Sequence, residues 1–289
     1  MKKWLLFLLL MVAVSAAHAQ FANAEADTAF KFTHRLSRSV NHWIAFPKDN
    51  ATGIYPFGYL YIDPSQGFLF NLEGFFTSNG NGTFTRVKRK IDETTRLQYN
   101  LKPGPKPLVA IIEQDHNVEL DIDPRPDWYA NYNDYTDTAA HCVEWAKAYN
   151  GIKDPEMAVS VLLEPYRTAP HTPGLEVELC HAYYELKRFD ESIKVAEAAL
   201  LNNVGNAALY KELGNAQLSK GRLDEAISTY TSGIKLCDAG PGDDKSEMAM
   251  YTAVAYGNKG NKEAYKKWII YAKLWAPKKS EIAALLEDM

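Results

Sequence analysis

Two pairs of neighbouring residues, His141-Cys142 and Cys180-His181, each combine a base with a thiol nucleophile. Covalent catalysis by such a pair requires the imidazole to accept the thiol proton, so both side chains must point the same way. Both pairs lie in segments with helical spacing, where adjacent residues point about 100° apart. The sequence also lacks Gly-x-Ser-x-Gly, His-Glu-x-x-His, Cys-x-x-Cys and a phosphate-binding Gly-rich loop. We therefore expect no catalytic residues and no enzyme activity.

Three aspartates, Asp121, Asp123 and Asp127, are close enough in sequence to offer oxygen ligands to a calcium ion. The segment lacks the glycine and the distal glutamate of a calcium loop, and Pro124 and Pro126 interrupt it. A solvated acidic linker is the better interpretation. We expect no metal site and no cofactor.

The cysteine–histidine pairs lie within a stretch that repeats itself along the chain. Leu213, Leu179 and Trp145 are separated by steps of 34 residues, as are Ala226, Ser192 and Ala158. Self-similarity at this period is typical of stacked helical hairpins, whose apolar faces are buried only against their neighbours.

The residues that repeat resemble those of the tetratricopeptide-repeat (TPR) family. One copy has the family's order of large, small, glycine, alanine and aromatic residues: Leu213-Gly214, Gly221, Ala226, Tyr230 and Gly233. The preceding copy contains Leu179, Cys180, Tyr183, Phe189, Ser192, Ala196 and Ala199. The resemblance covers about the C-terminal half and implies an all-α helical-repeat solenoid over residues 128–289. The predicted repeats are about 138–171, 172–205, 206–238 and 245–277, with a capping helix over 280–289.

In this family the first helix of each hairpin lines a concave groove that holds a peptide. The resemblance implies that Lys147, Asn150, His181, Tyr184, Lys211 and Asn215 contact the partner, with Val143, Val177, Leu218, Met250 and Val254 beside them. Lys211 and Asn215 match a pair with which some members hold a peptide's C-terminal carboxylate. Val143 and Val177 stand where the other groups of that clamp are expected, so ordinary solvated roles for Lys211 and Asn215 are the alternative.

The N-terminus has the pattern of a secretory signal peptide. Lys2 and Lys3 precede an apolar run over residues 4–14, and Ala17-His18-Ala19 fits the small-x-small cleavage rule. We predict a signal peptide over residues 1–19, cleavage before Gln20, and a periplasmic or secreted bacterial protein. The run is shorter than a membrane span of about 20 residues; an uncleaved anchor is the alternative.

Composition limits the partners that this chain can have. The 289 residues are 46% hydrophobic and 24% charged, with a net charge of −4, which is ordinary for a globular protein. No basic stripe favours nucleic acid or anionic lipid. Cys142, Cys180 and Cys237 form no disulfide framework. Cys180 replaces a small buried residue and is interpreted as packing; a Cys142–Cys180 bridge is the alternative.

Residues 20–127 predict an α+β module of no recognised family. An amphipathic helix is predicted over 22–40, followed by an antiparallel sheet with aromatic strands. Asn79-Gly80 or Asn81-Gly82 suits a tight hairpin turn. The predicted strands are 55–62, 67–72, 74–77, 84–87, 96–101, 108–113 and 118–122.

These observations predict an exported, non-enzymatic scaffold that binds a protein or peptide partner in the groove of its repeats. One alternative is that residues 20–127 form a glycan-binding or enzymatic domain that the repeats support, since aromatic strands can stack on sugars. A second is self-association, in which the first hairpin stacks on another copy.

Overall fold

The computed structural model describes residues 30–88, 98–101, 107–133 and 135–289. The chain divides into two compact units: a β-rich unit formed mainly by residues before 134, and a helical unit formed mainly by residues 135–289. This arrangement confirms the predicted fold class, an α+β module followed in sequence by helical repeats. The predicted signal peptide lies outside the described residues.

The β-rich unit contains an antiparallel sheet with the strand order β4-β3-β2-β1-β6, and β5 also pairs with β3. Its described strands are β1 (His42–Ala45), β2 (Tyr55–Asp63), β3 (Gly67–Ser78), β4 (Phe84–Arg86), β5 (Gln98–Asn100) and β6 (Ala110–Ile111). Two short helices, α1 (Asn117–Leu120) and α2 (Ala130–Asn133), and two 3-10 turns, Leu36–Arg38 and Gln114–His116, complete the described part.

The aromatic residues of the strands form the core of this unit. Tyr55, Phe57 and Phe76 are at most 1% exposed. The Phe76 ring packs against Tyr55 and Phe57, and Phe30 packs edge-to-face against Tyr55 and Phe76. Because these rings are buried, they are not available to stack on a sugar. The sheet is therefore stabilised mainly by burial of aromatic surface.

Two predictions for this unit are wrong. The helix predicted over 22–40 is absent from its described part, because His34 pairs with Val109 through two backbone hydrogen bonds of 3.1 and 2.9 Å. Residues 118–122, predicted as a strand, contain the end of α1, in which Val118 is 91% exposed and Leu120 is buried. The Arg86 side chain donates to the carbonyl oxygens of Leu120 and Asp121, which holds α1 against the sheet.

The helical unit consists of helices that pair in sequence. Within residues 135–289 the pairs are α3 (Thr138–Gly151) with α4 (Pro155–Thr168), α5 (Leu175–Glu185) with α6 (Phe189–Asn202), α7 (Ala207–Ser219) with α8 (Leu223–Ile234), and α9 (Asp243–Asn258) with α10 (Lys262–Trp275). They are followed by α11 (Glu281–Glu287). No helix in the described part of the chain combines the length and the apolarity needed to cross a bilayer.

Local signals in the sequence fix where several of these helices begin. Asp154 precedes α4, with Pro155 at the first helical position, and its carboxylate accepts from the Met157 amide. The Ser280 hydroxyl accepts from the Ala283 amide at the start of α11. Capping satisfies backbone amides that have no partner within the helix.

Small residues allow close contact where the repeat motif places them. A Cβ atom on Gly214 of α7 would lie 2.4 Å from the fully buried ring of Tyr230 on α8. In the preceding pair, the Ser192 hydroxyl donates to the Cys180 carbonyl oxygen at 3.0 Å, and the Cys180 thiol donates to the Ser192 carbonyl oxygen at 3.4 Å. These positions link the two helices of each pair.

Candidate partner-binding face

The first helices of the four pairs form one continuous layer, which we call the inner face. Within the described residues α3 contacts α5, α5 contacts α7 and α7 contacts α9. Successive second helices make no contact of comparable extent there. In a curved stack of helical pairs, the layer in which successive helices contact one another more closely than in the other layer lies on the inner side. This layer carries all of the predicted partner-contacting residues.

At the junction of α3 and α5, the Asn150 amide is bound to its neighbour. Its Nδ2 atom donates to the Glu178 carboxylate at 2.8 Å and to the Glu178 carbonyl oxygen at 3.1 Å. Asn150 is only 7% exposed. Burial raises the pKa of Glu178, and the hydrogen bond from Asn150 partly opposes this shift. The structure thus places Asn150 in a contact between repeats.

At the junction of α5 and α7, His181 faces a buried carboxylate. Its Nδ1 atom lies 3.8 Å from Oε2 of Glu212, whose side chain is 5% exposed, while the His181 side chain is 34% exposed. The Glu212 carboxylate raises the pKa of His181 and burial opposes this effect, whereas Glu185 and Glu178 add to it. His181 is therefore more readily protonated than an ordinary histidine, and it remains partly accessible.

At the junction of α7 and α9, Lys211 is held between two carboxylates. Its Nζ atom donates to Asp244 at 2.5 Å and to Glu247 at 3.1 Å, and its side chain is 19% exposed. Burial lowers the pKa of Lys211, but the hydrogen bond to Asp244 and the charge of Glu247 outweigh it, so the pKa lies above its ordinary value. Lys211 is already paired with two carboxylates. It would therefore bind the carboxylate of a partner less strongly than the sequence predicted.

The remaining predicted contact residues differ in their exposure and in their hydrogen bonds. The side-chain Oδ1 atom of Asn215 accepts from the Tyr230 hydroxyl at 2.7 Å, so one end of the side-chain amide is engaged. Tyr184 is half-buried, and its hydroxyl accepts a long 3.5 Å hydrogen bond from Ser219. Lys147 is the most exposed of the predicted residues, at 47% of its side chain, and pairs with Glu144 on its own helix at 2.7 Å.

The apolar residues expected beside the partner are buried at two positions and half-buried at three. Val143 and Met250 are buried, at 1% and 7% exposure, which contradicts their expected place in an open groove. Val143 packs against Gly174. A Cβ atom on Gly174 would lie 3.2 Å from Cγ1 of Val143. Val177, Leu218 and Val254 are half-buried.

Sequence reasoning missed the carboxylates of the inner face. Glu144, Glu178 and Glu212 lie one on each of α3, α5 and α7, at steps of 34 residues. The same period that identified the repeats could have identified this acidic series. Asp244 and Glu247 could not be found in that way, because the connection between α8 and α9 shifts the register.

Other candidate chemistry does not assemble in the described residues. Burial lowers the pKa of His141 and raises that of Cys142, so neither the imidazolium nor the thiolate is favoured. All three cysteines are free, and burial holds the pKa of Cys180 well above its ordinary value. No group of three or more histidine, cysteine, aspartate or glutamate side chains in the described ranges could hold a metal ion.

A small pocket in the described part of the β-rich unit could be considered as a site. It is lined by Pro47, Lys48, Asp49, Thr52, Ile54, Pro56 and Phe75. Its carboxylate, Asp49, accepts from the backbone amides of Ala51 and Thr52 and from the Thr52 hydroxyl. Asp49 thus stabilises a turn.

No family model matches this sequence, and no curated protein does. Solved structures resemble the helical part. They are TPR proteins. The TPR protein TTC0263 of Thermus thermophilus is 17% identical, with 55% of this chain and 84% of that chain covered at a TM-score of 0.47. YrrB, described as a TPR protein with an unusual peptide-binding site, is 17% identical, with 52% and 75% covered at 0.43. The first TPR domain of human RPAP3 is 20% identical, with 43% and 97% covered at 0.39. The assignment of the fold depends on the helical pairs themselves, because these superpositions are partial.

Proposed function

We propose that this chain is an exported scaffold whose inner face binds an extended segment of a partner protein. The observation that carries the proposal is the continuous contact of α3, α5, α7 and α9, which places partly accessible polar side chains of successive repeats in one row. Lys147, His181, Tyr184 and Asn215 belong to this row. Side chains that recur once in each repeat can contact successive residues of an extended partner segment.

The charges of the inner face favour a partner segment with lysine or arginine side chains. Lys147 and Lys211 are both already paired with carboxylates of this face. Five of the carboxylates on these helices belong to Glu144, Glu178, Glu212, Asp244 and Glu247. Complementary charge on the partner increases the association rate and specificity. A segment with basic side chains therefore fits better than one held by its C-terminal carboxylate.

Export is part of the proposal and depends on the signal-peptide pattern of residues 1–19. The β-rich unit is proposed to support the repeats and not to bind glycans, because the Tyr55, Phe57 and Phe76 rings of its strands lie in the core.

The proposal can be tested by selecting binders from a library of displayed random peptides. We expect enriched peptides to contain lysine or arginine, and we expect the double variant His181→Ala/Tyr184→Ala to bind them at least roughly tenfold more weakly. The matched control is Lys187→Ala/Lys194→Ala, which changes exposed residues outside the inner face.

Blocking the C-terminus of a selected peptide by amidation tests the charge argument separately. Unchanged affinity on amidation supports recognition of basic side chains. A large loss would instead support a carboxylate clamp, and equal binding by the inner-face variant and wild type would contradict the site.

A further inference from the structure

The second helix of the last pair, α10, lies in a positively charged segment, whereas the chain as a whole is negatively charged. Residues 262–279 contain six lysines and one acidic residue, Glu263, although the whole chain has a net charge of −4. This basic segment corrects the expectation from composition that no basic stripe is present. The lysines are Lys262, Lys266, Lys267, Lys273, Lys278 and Lys279.

The outward face of α10 combines these lysines with apolar side chains. Ile270 and Leu274 are 64% and 66% exposed, and they lie one above the other because they are four residues apart. At about 100° per residue, Lys266 and Lys273 lie on one side of this pair and Lys267 on the other. We call these five residues the α10 outer face.

The opposite side of the same helix is packed within the helical unit. Ile269 and Ala272 are buried in a cluster with Ile282 and Leu286 of α11. Trp268 and Trp275 are partly buried against that cluster. The orientation of α10 is therefore fixed, and the exposure of Ile270 and Leu274 follows from it.

The positive charges of the α10 outer face are available to a partner. Among the described residues, Lys266, Lys267 and Lys273 form no ion pair, and Lys267 lies 5.9 Å above the Tyr271 ring. Elsewhere in the helical unit, Lys220 and Lys259 pair with Asp190 and Asp224.

We propose that the α10 outer face binds the surface of an anionic bilayer. In such binding, lysine side chains reach lipid phosphates while a central apolar strip enters the boundary between headgroups and acyl chains. A nucleic acid would use the charges but gain nothing from Ile270 and Leu274. A bilayer surface uses both features, and it suits a helix that lies on a membrane and does not span it.

The test is co-sedimentation of the purified chain with vesicles of phosphatidylcholine alone or mixed with phosphatidylglycerol. The N-terminus of the purified chain is first established by intact mass, because an uncleaved apolar leader would add binding of its own. We expect binding to the anionic vesicles that weakens with salt, since surface charges are screened.

Two variants separate the two parts of the proposed surface. Lys266→Gln/Lys267→Gln/Lys273→Gln should bind anionic vesicles roughly tenfold or more weakly, since each lysine near an anionic surface contributes to binding. Ile270→Asn/Leu274→Asn should also bind more weakly, because less apolar surface is buried. The control is Lys187→Gln/Lys194→Gln/Lys235→Gln, which removes three exposed lysines elsewhere; circular dichroism verifies folding of every variant.

Anionic vesicle binding that both α10 variants lose and the control keeps would support the proposal. Equal binding by all variants would overturn it. If only the lysine variant loses vesicle binding and Ile270→Asn/Leu274→Asn binds like wild type, the proposal would be overturned in favour of a general site for polyanions. A change of oligomeric mass in the α10 variants, without vesicle binding by wild type, would overturn it in favour of a contact between two copies.

Discussion

Nζ of Lys211 on α7 lies 3.1 Å from Oε2 of Glu247 on α9 and also donates to Asp244 at the start of that helix. The last helical pair is thus joined to the preceding one by a partly buried ionic contact. Asn150 with Glu178 and His181 with Glu212 stand at the two earlier junctions. These polar residues of the inner face therefore join successive repeats.

Replacing Lys211 by alanine should destabilise the helical unit. The substitution leaves the Asp244 and Glu247 carboxylates without their cation, and the loss of one member of a partly buried pair should lower the free energy of unfolding by about 1–3 kcal/mol. Urea unfolding followed by circular dichroism measures the change. Lys194→Ala, at an exposed position on α6, should stay within about 0.5 kcal/mol of wild type; an equally small effect of Lys211→Ala would show that the pair adds nothing.

Gly214→Ala should be destabilising for a steric reason. The added methyl would lie 2.4 Å from Tyr230, whose ring is fully buried, so α7 and α8 must move apart at a cost of about 1–3 kcal/mol. The control is Gly151→Ala at the end of α3, where a Cβ meets no atom within 4 Å. That change should be neutral or slightly stabilising. Thermal unfolding of both variants makes the comparison, and similar melting temperatures would refute the steric argument.

The stability contributed by His181 should depend on pH. Its pKa in the folded chain is raised, chiefly by Glu212, so its favourable contribution is full below the unfolded pKa and disappears as pH rises through the folded pKa. The destabilisation by His181→Gln should therefore increase from about pH 8 to about pH 6, where histidine titrates. In a Glu212→Gln background this pH dependence should largely vanish; its persistence there would assign the shift to Glu178 or Glu185.

The repeats could be predicted because their packing requires residue types at fixed spacing. Gly214 and Tyr230 illustrate the reason: the close approach of two helices excludes a side chain at one position and demands a ring at the other. Because such a pattern depends on contacts within one pair of helices, it can be recognised in the sequence.

The polar contacts of the inner face could not be predicted in the same way. Whether Lys211 is free or paired depends on Asp244, and the irregular connection before α9 decides where that residue lies. In the β-rich unit, Phe32 and Leu36 have the four-residue spacing of a helix, but the backbone of His34 is bound to Val109, a contact distant in sequence. Nonlocal pairing of strands overrides local periodicity there.

Site-specific photo-crosslinking in cells that produce this chain tests whether the inner face binds the partner. A photoreactive amino acid replaces Tyr184 or Asn215 on the inner face, and Lys194 or Lys235 elsewhere on the repeats as controls. We expect both inner-face positions to form an adduct with the same protein and the two control positions to form none. Adducts of equal yield at Lys194 and Lys235, or at those positions alone, would show that the inner face is not the binding site.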